Sequence, residues 1–247
     1  MTRWLLLAAG ISAYLLFMLA TVPATLLDTL LQRASDGRVR LADARGTVWS
    51  GAGHLETRDT RRQTGIARKL GWDCAPASLL RGHLSCTLDL EGSPRRFPVR
   101  FFPARIEIAN ADISVPAAML GIALPKLAPF GPGGDLQLRI ADLAIGQGGV
   151  RGNADLQWRG ASSLHTAVSP LGNYEMRFEP AATGMTATLS TLDGPLQLAG
   201  SGAWANGARP VFQATARIAP QQREQLEPFL RMIAVERGAG NFELQLK

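Results

Sequence analysis

The sequence predicts a mainly β protein: one N-terminal transmembrane helix over residues 1–27, then a curved antiparallel β-sheet domain over residues 28–247 with a few short helices. Three observations predict it. The residues after Arg3 form a long charge-free apolar run, as a bilayer span requires. Beyond that run the dominant hydrophobic period is two, the spacing of strands with one buried face. Short segments rich in Gly and Pro separate the alternating runs, which suits hairpins rather than crossover helices.

The apolar run comes first. No residue from Trp4 to Leu27 is charged, and Leu5 to Leu19 is almost continuously apolar. About 20 such residues cross a hydrocarbon core of ~30 Å. Trp4 and Tyr14 are partial interface anchors, and Pro23 lies where a helix break costs little. A cleaved signal peptide would use Arg3 as its basic start and Leu5–Leu19 as its apolar stretch. Val22-Pro23-Ala24 is a poor cleavage site, however, and the run continues through Leu26 and Leu27, so the uncleaved anchor is the favoured reading. Arg3 then stays inside, and the chain after Asp28 faces the periplasm of a bacterial envelope, single-pass in the inner membrane.

That compartment bears on the two cysteines, Cys74 and Cys86. Cys74 shares strand phase with Trp72, and Cys86 with Leu84, Leu88 and Leu90, so both thiols point to an apolar face. A disulfide and a pair of buried free thiols both fit; an oxidising periplasm favours the disulfide. His54, His83 and His165 are scattered and show no metal-ligand spacing with the cysteines.

The strands follow from alternation. Leu136, Leu138 and Ile140 mark one, Leu156 and Trp158 the next, then Tyr174, Met176 and Phe178. Met185, Ala187 and Leu189 follow, then Leu196 and Leu198, then Phe212, Ala214, Ala216 and Ile218. Phe242, Leu244 and Leu246 close the series, and Asn241–Lys247 is expected as an exposed edge. The turns are Gly131–Gly134, Gly146–Gly149, Gly194-Pro195 and Asn206-Gly207. Short helices are expected at Asp73–Leu80, at Pro116–Leu120 with Ser114 as cap, and at Pro220–Val235, kinked at Pro228. In the last, Leu226, Phe229, Leu230 and Ile233 share a face that packs on the sheet. Gly46–Gly51, Asn153–Gly160 and Gly200–Ala205 each set a Trp among small residues, weak echoes of a repeated meander.

Composition bounds the function. With 26 Gly, 15 Pro and 6% aromatic residues in 247, the chain is too apolar for disorder and lacks a collagen period. A net charge of +6 and a pI near 10.1 raise nucleic-acid binding, but the basic residues are scattered rather than gathered in a stripe with aromatics. The densest group, Arg58, Arg61, Arg62, Arg68 and Lys69, reads as a solvated loop; acidic headgroups or an acidic protein face are its alternative partners. No catalytic constellation is present. Gly200-Ser201-Gly202 lacks the strand–turn–helix setting of a nucleophile elbow, His165 has no carboxylate beside it, and Gly131–Gly134 precedes a strand instead of a helix. The reading is therefore no enzyme and no cofactor.

Several segments, in order, carry a family resemblance. Leu41-Ala-Asp-Ala-Arg-Gly-Thr-Val-Trp-Ser-Gly is similar to a G-T-x-W-x-G segment, and Leu70–Leu84 to a W-x-x-x-P-x-x-L-L-x-G-x-L segment. Gly160–Tyr174, Leu192–Gly200 and the terminal Pro228–Leu244 add further blocks, with Ala234 where a glycine is expected. Together they resemble the type II secretion system protein N (general secretion pathway protein N) family over nearly the whole chain. The resemblance implies an accessory inner-membrane component of the machine that exports folded proteins from the periplasm across the outer membrane. Its partners would be other secretion-system proteins in the periplasm or inner membrane. It carries over no catalytic or binding residue, and it says nothing of the cysteines.

On physical grounds Trp49 and Trp72 are large buried anchors, each worth several kcal/mol on truncation. Gly46 and Gly51 permit bends or close backbone approach. A different class of function stays open: a sheet lined by Ala, Leu and Val could carry lipid along an apolar trough, as in AsmA-like envelope proteins, provided no helix closes that face.

Overall fold

The computed structural model describes residues 2–35, 37, 39–58, 65–123, 127–147, 149–182, 184–205, 211–238 and 241–246. The expected turn at Asn206-Gly207, Arg61 and Arg62 of the basic group, and Lys247 lie outside the described residues. The chain is mainly β, with antiparallel pairing throughout, and forms two compact units, Met1–Glu91 and Gly92–Lys247.

The first unit begins with α1 (Thr2–Ala20) and α2 (Thr25–Ala34). The apolar run does not continue as one helix to Leu27. Pro23 cannot extend a helix and disfavours helical backbone at the residue before it, so α1 closes at Ala20, with Thr21 N–H and Oγ1 both donating to Phe17 O (3.0 and 2.9 Å). Leu26 and Leu27 instead open α2. Among the described residues no helix is both long and apolar enough to cross a membrane.

The sheet of this unit is a meander of β1 (Val39–Gly46), β2 (Ser50–Arg58), β3 (Gly65–Ala75) and β4 (Leu84–Leu90). α2 packs on it: Leu27 and Leu31 join Ala24, Leu41, Trp72, Cys74 and Cys86 in one apolar cluster. The outward edge of β1 is occupied by side chains of and just after α2. Asp28 Oδ1 accepts from Leu41 N–H (2.8 Å), and Ser35 Oγ accepts from Val39 N–H (3.0 Å). An edge so occupied cannot template another strand there. The helix expected at Asp73–Leu80 is shorter: Asp73–Ala75 stay in β3, paired with β4, and a 3-10 turn takes Pro76–Arg81.

The second unit orders its strands as β5 (Phe97–Phe101), β6 (Arg105–Pro116), β7 (Gly133–Gly146), β8 (Gly149–Ser162), β9 (Gly172–Ala181), β10 (Gly184–Asp193), β11 (Leu196–Ala205) and β12 (Val211–Ile218). The C-terminal hairpin β13 (Val235–Gly238) and β14 (Asn241–Leu246) follows, with β14 between β12 and β13. Asn241–Leu246 is thus an inner strand and not the expected edge. Phe242, 1% exposed, needs a neighbour on each side, whereas charged Glu236 and Arg237 of β13 tolerate the edge position.

One irregularity explains an oddity of the pattern. In β6 the alternation of Ile106 and Ile108 slips by one before Ala111, Ile113 and Val115, and in β7 it slips between Ile140 and Leu143. Asn110 takes a positive φ of 50°, and the β7–β8 ladder shifts register between Ile140 and Asp142. Such a bulge realigns the side chains after it, so the slipped apolar residues keep facing one side.

Pro116–Leu120 becomes a 3-10 turn, Ala117–Met119, running into α3 (Leu120–Ala123); Ser114 stays in β6, and no side-chain cap forms. Pro220–Gln222 is a 3-10 turn leading into α4 (Arg223–Ile233), with Pro228 inside it and Val235 already in β13. Leu226 and Leu230, both 0% exposed, and Phe229 press onto Tyr174, Leu196, Ala216, Ile218 and Phe242. Tyr174 OH donates to Leu196 O at 2.9 Å, and burial holds its hydroxyl pKa well above the usual tyrosine value.

Candidate functional site: the collar between helix and sheet

The four residues read as structural anchors converge in the first unit, where α1 ends and the β1–β2 hairpin turns. Gly46 closes β1 with φ +95°; a Cβ there would meet Ser50 O at 2.5 Å, so the tight turn needs glycine. Thr47 N–H donates to Ser50 O (2.9 Å), and Thr47 Oγ1 accepts from the N–H of Trp49 and of Ser50, both at 3.2 Å. The turn is thereby locked around one threonine.

The locked turn grips the end of the N-terminal helix. Trp49 Nε1 donates to Leu19 O at 2.8 Å, which satisfies one of the last carbonyls of α1. The linker is held by one isolated antiparallel bridge: Val48 N–H donates to Val22 O (3.0 Å), Ala24 N–H donates to Gly46 O (3.1 Å), and Pro23 pairs with Thr47. Ala24, 1% exposed, seals the joint from below.

Trp72 lies underneath. The residue is 7% exposed, and its Nε1 donates to Thr47 O at 3.0 Å. Gly51 lies directly across the β2–β3 ladder from it; a Cβ there would strike the Trp72 ring at 2.5 Å. Glycine at this position therefore makes room for the indole. Trp49 is only half-buried, so of the two tryptophans Trp72 is the core residue and Trp49 the clasp.

Cys74 and Cys86 sit beside this collar, directly opposite each other on β3 and β4, joined by a disulfide with Sγ atoms 2.06 Å apart. The N–H of Cys74 turns away from β4 and donates to Trp49 O at 2.6 Å. Sequence reasoning singled out the two tryptophans and two glycines. It missed Thr47, Leu19 and Val22, because two of these act through backbone carbonyls, which leave no mark on residue type. It also missed Asp28, whose position just after an apolar run was the available signal. Burial raises the Asp28 carboxyl pKa, but hydrogen bonds from the Gln32 side chain and Leu41 N–H, with Arg40 nearby, outweigh that and hold it below the usual carboxylate value.

The chemistry available elsewhere is thin. A groove of about 520 Å³ in the first unit is lined by Asp43, Arg45, His54, Lys69, Asp89 and Glu91 among others. His54 Nδ1 is 3.7 Å from Asp43 Oδ2, beyond hydrogen-bond reach, and among the described residues no serine, threonine or cysteine lines the groove. Among the described residues no cluster of His, Cys, Asp and Glu could hold a metal ion. The arrangement joins and positions segments.

Comparison with known proteins gives the same segments a family. The family model for Type II secretion system (T2SS), protein N matches residues 37–245, which include the whole collar hairpin. Type II secretion system protein N of Aeromonas hydrophila is 27% identical over 250 residues, covering 98% of this chain and 96% of that protein. No solved structure matches. The chain belongs to the Type II secretion system protein N family, and the resemblance read from its motifs is borne out.

Proposed function

We propose that this family member, a component of the type II secretion system, is an accessory inner-membrane protein that supports export of folded proteins across the outer membrane through periplasmic protein–protein contacts. The observation that carries the reading is the collar: the hairpin that resembles the family's G-T-x-W-x-G segment holds the last turn of α1 by Trp49 and by the paired linker. A chain built to fix an apolar helix to a sheet suits an anchored adaptor.

Two properties of α1 support the anchor. Its 19 residues fall near the short end of the ~17–25 that span a bilayer. Trp4, Leu6, Leu7, Ile11, Tyr14, Phe17, Met18 and Leu19 are 50–79% exposed, more apolar surface than water tolerates on a free helix. On this reading residues 4–20 lie in the inner membrane, and the chain after them is periplasmic with Cys74–Cys86 oxidised. Strand addition by a partner finds little purchase on β1, whose edge is occupied, or on β13, which is short and charged. Partner contacts are accordingly assigned to faces of the sheets.

Lipid carriage is the second reading, and one observation keeps it. Phe101, Ile106, Ile145 and Val150 stand directly across from one another on β5 to β8 and remain 38–41% exposed. Against it, α4 covers the apolar side at β9, β11, β12 and β14.

A clean deletion tests both readings. Retention in the periplasm of proteins normally found in the medium, reversed by the wild-type gene, is expected. Normal export with a lipid-altered outer membrane would reject the secretion role in favour of lipid transport.

A further inference from the structure

β3 reaches the collar at Cys74, whose N–H donates to Trp49 O, and Trp49 in turn holds Leu19 of α1. One residue further on, the chain leaves the sheet at this same end as the turn Pro76–Arg81. At the ~2 Å rise of a 3-10 turn, its six residues stay within about 12 Å of the strand end. The turn therefore stands beside the point where α1 terminates.

What the turn presents is unusual. Leu80 is 92% exposed and Leu79 46%, followed by Arg81. Their exposure is built in. Ser78, 8% exposed, donates through Oγ to Ala75 O (2.6 Å) and accepts from Ser85 N–H (2.9 Å), so the turn is tied to both flanking strands. Gly82, at φ +77°, ends the turn with its N–H on Leu79 O (2.9 Å), and the Cys74–Cys86 disulfide closes the base. A firmly held turn that shows two leucines to solvent forgoes burial that a polar pair would not miss.

We propose that Pro76–Arg81 is a membrane-surface contact: Leu79 and Leu80 enter the boundary between headgroups and acyl chains of the bilayer that α1 spans, and Arg81 pairs with lipid phosphate. The occupant follows from position: on the anchor reading a helix ending at Ala20 brings the bilayer surface to the collar, and the turn leaves the sheet at that same end. Apolar side chains with an adjacent cation match that boundary, which is apolar on one side and anionic on the other. With the helix end, the turn makes a second foot, and two feet hold the sheet on the bilayer surface more firmly than the clamped helix alone. The inference rests on the anchor reading of α1.

The test uses the full chain reconstituted into vesicles of phosphatidylethanolamine and phosphatidylglycerol. The native cysteines are in the disulfide, so one added cysteine takes an environment-sensitive dye: Leu80→Cys, Ile11→Cys in α1, or Ala67→Cys at the far end of β3, about 25 Å from the collar. Lipids brominated near the headgroup end are expected to remove most of the Leu80→Cys emission, and lipids brominated near the chain end little of it. The Ile11→Cys dye should respond to deep bromines and the Ala67→Cys dye to neither.

If the Leu80→Cys dye stays unquenched while the Ile11→Cys dye is quenched, the inference falls and the anchor stands. With both unquenched, the anchor reading fails and takes the inference with it. A dye at Leu80→Cys that is silent in vesicles but blue-shifted in native envelopes assigns the turn to a protein partner and overturns the lipid contact. Equal quenching at Ala67→Cys would mean that the sheet lies flat on the bilayer, which also overturns it. Since Leu80 is almost fully exposed, its replacement leaves the fold intact.

Discussion

The units Met1–Glu91 and Gly92–Lys247 each build an antiparallel meander with one apolar side, and they protect that side by different means. The first has a small cluster of Ala24, Leu41, Trp72 and the two cysteines, and it adds a disulfide and side-chain hydrogen bonds from α2. The second relies on burial: α4 drives Leu226, Phe229 and Leu230 onto apolar residues of β9, β11, β12 and β14. A short meander buries too little surface to hold itself by apolar contact, so covalent and polar fastenings carry more of the load.

The sharpest way to break this comparison is to remove a core contact from the second unit alone. Leu230→Ala, at a fully buried site, should destabilise that unit by about 4 kcal/mol. Peptide-resolved hydrogen exchange should then show protection lost in β9–β14 and kept in β1–β4; equal loss in both would mean one cooperative body and end the contrast. Next in size is the disulfide. Its cysteines are 12 residues apart in sequence, and replacing both by serine should cost the first unit about 3 kcal/mol, with exchange in β3 and β4 rising and the second unit unmoved. No change would leave the fastening to Trp72 and Leu41.

A smaller effect is expected at the clasp. Trp49→Phe keeps a ring but removes the bond to Leu19 O, at a cost of about 1 kcal/mol. Faster exchange confined to the last turn of α1 and to Val48 would check it. The smallest concerns pH. The Asp28 pKa is lowered on folding, so its contribution is present above the 3.8 of a free aspartate and lost as pH falls through the folded value. Asp28→Asn should therefore be less stable than wild type at neutral pH, and the gap should narrow in acid below that value. A gap independent of pH would exclude the charge as its source.

Much of the second unit was legible. Strict alternation in residues 173–179, 185–189 and 212–218 places β9, β10 and β12, because each has one wet face and one dry face. The hairpin of β13 and β14 was not, since Val235–Gly238 is four residues with no alternation, and its place outside β14 follows from tertiary packing. The slip at Asn110 hides a continuous strand from a reading that expects an unbroken period. In the first unit the tryptophans and glycines stood out as large and small residues in a tight pattern, yet their shared task did not. Leu19 and Val22 are recognised by main-chain oxygens, so any apolar residue there would look the same in sequence.

The joint between α1 and the first hairpin also has a mechanical side. Trp49 to Leu19, Val48 to Val22 and Ala24 to Gly46 are three hydrogen bonds set along one short stretch of chain. A pull along the linker loads them in shear, together, rather than peeling them one at a time. Tilt of the helix is then delivered to the sheet as torque, and the joint works as a clamp where a bare linker would work as a swivel.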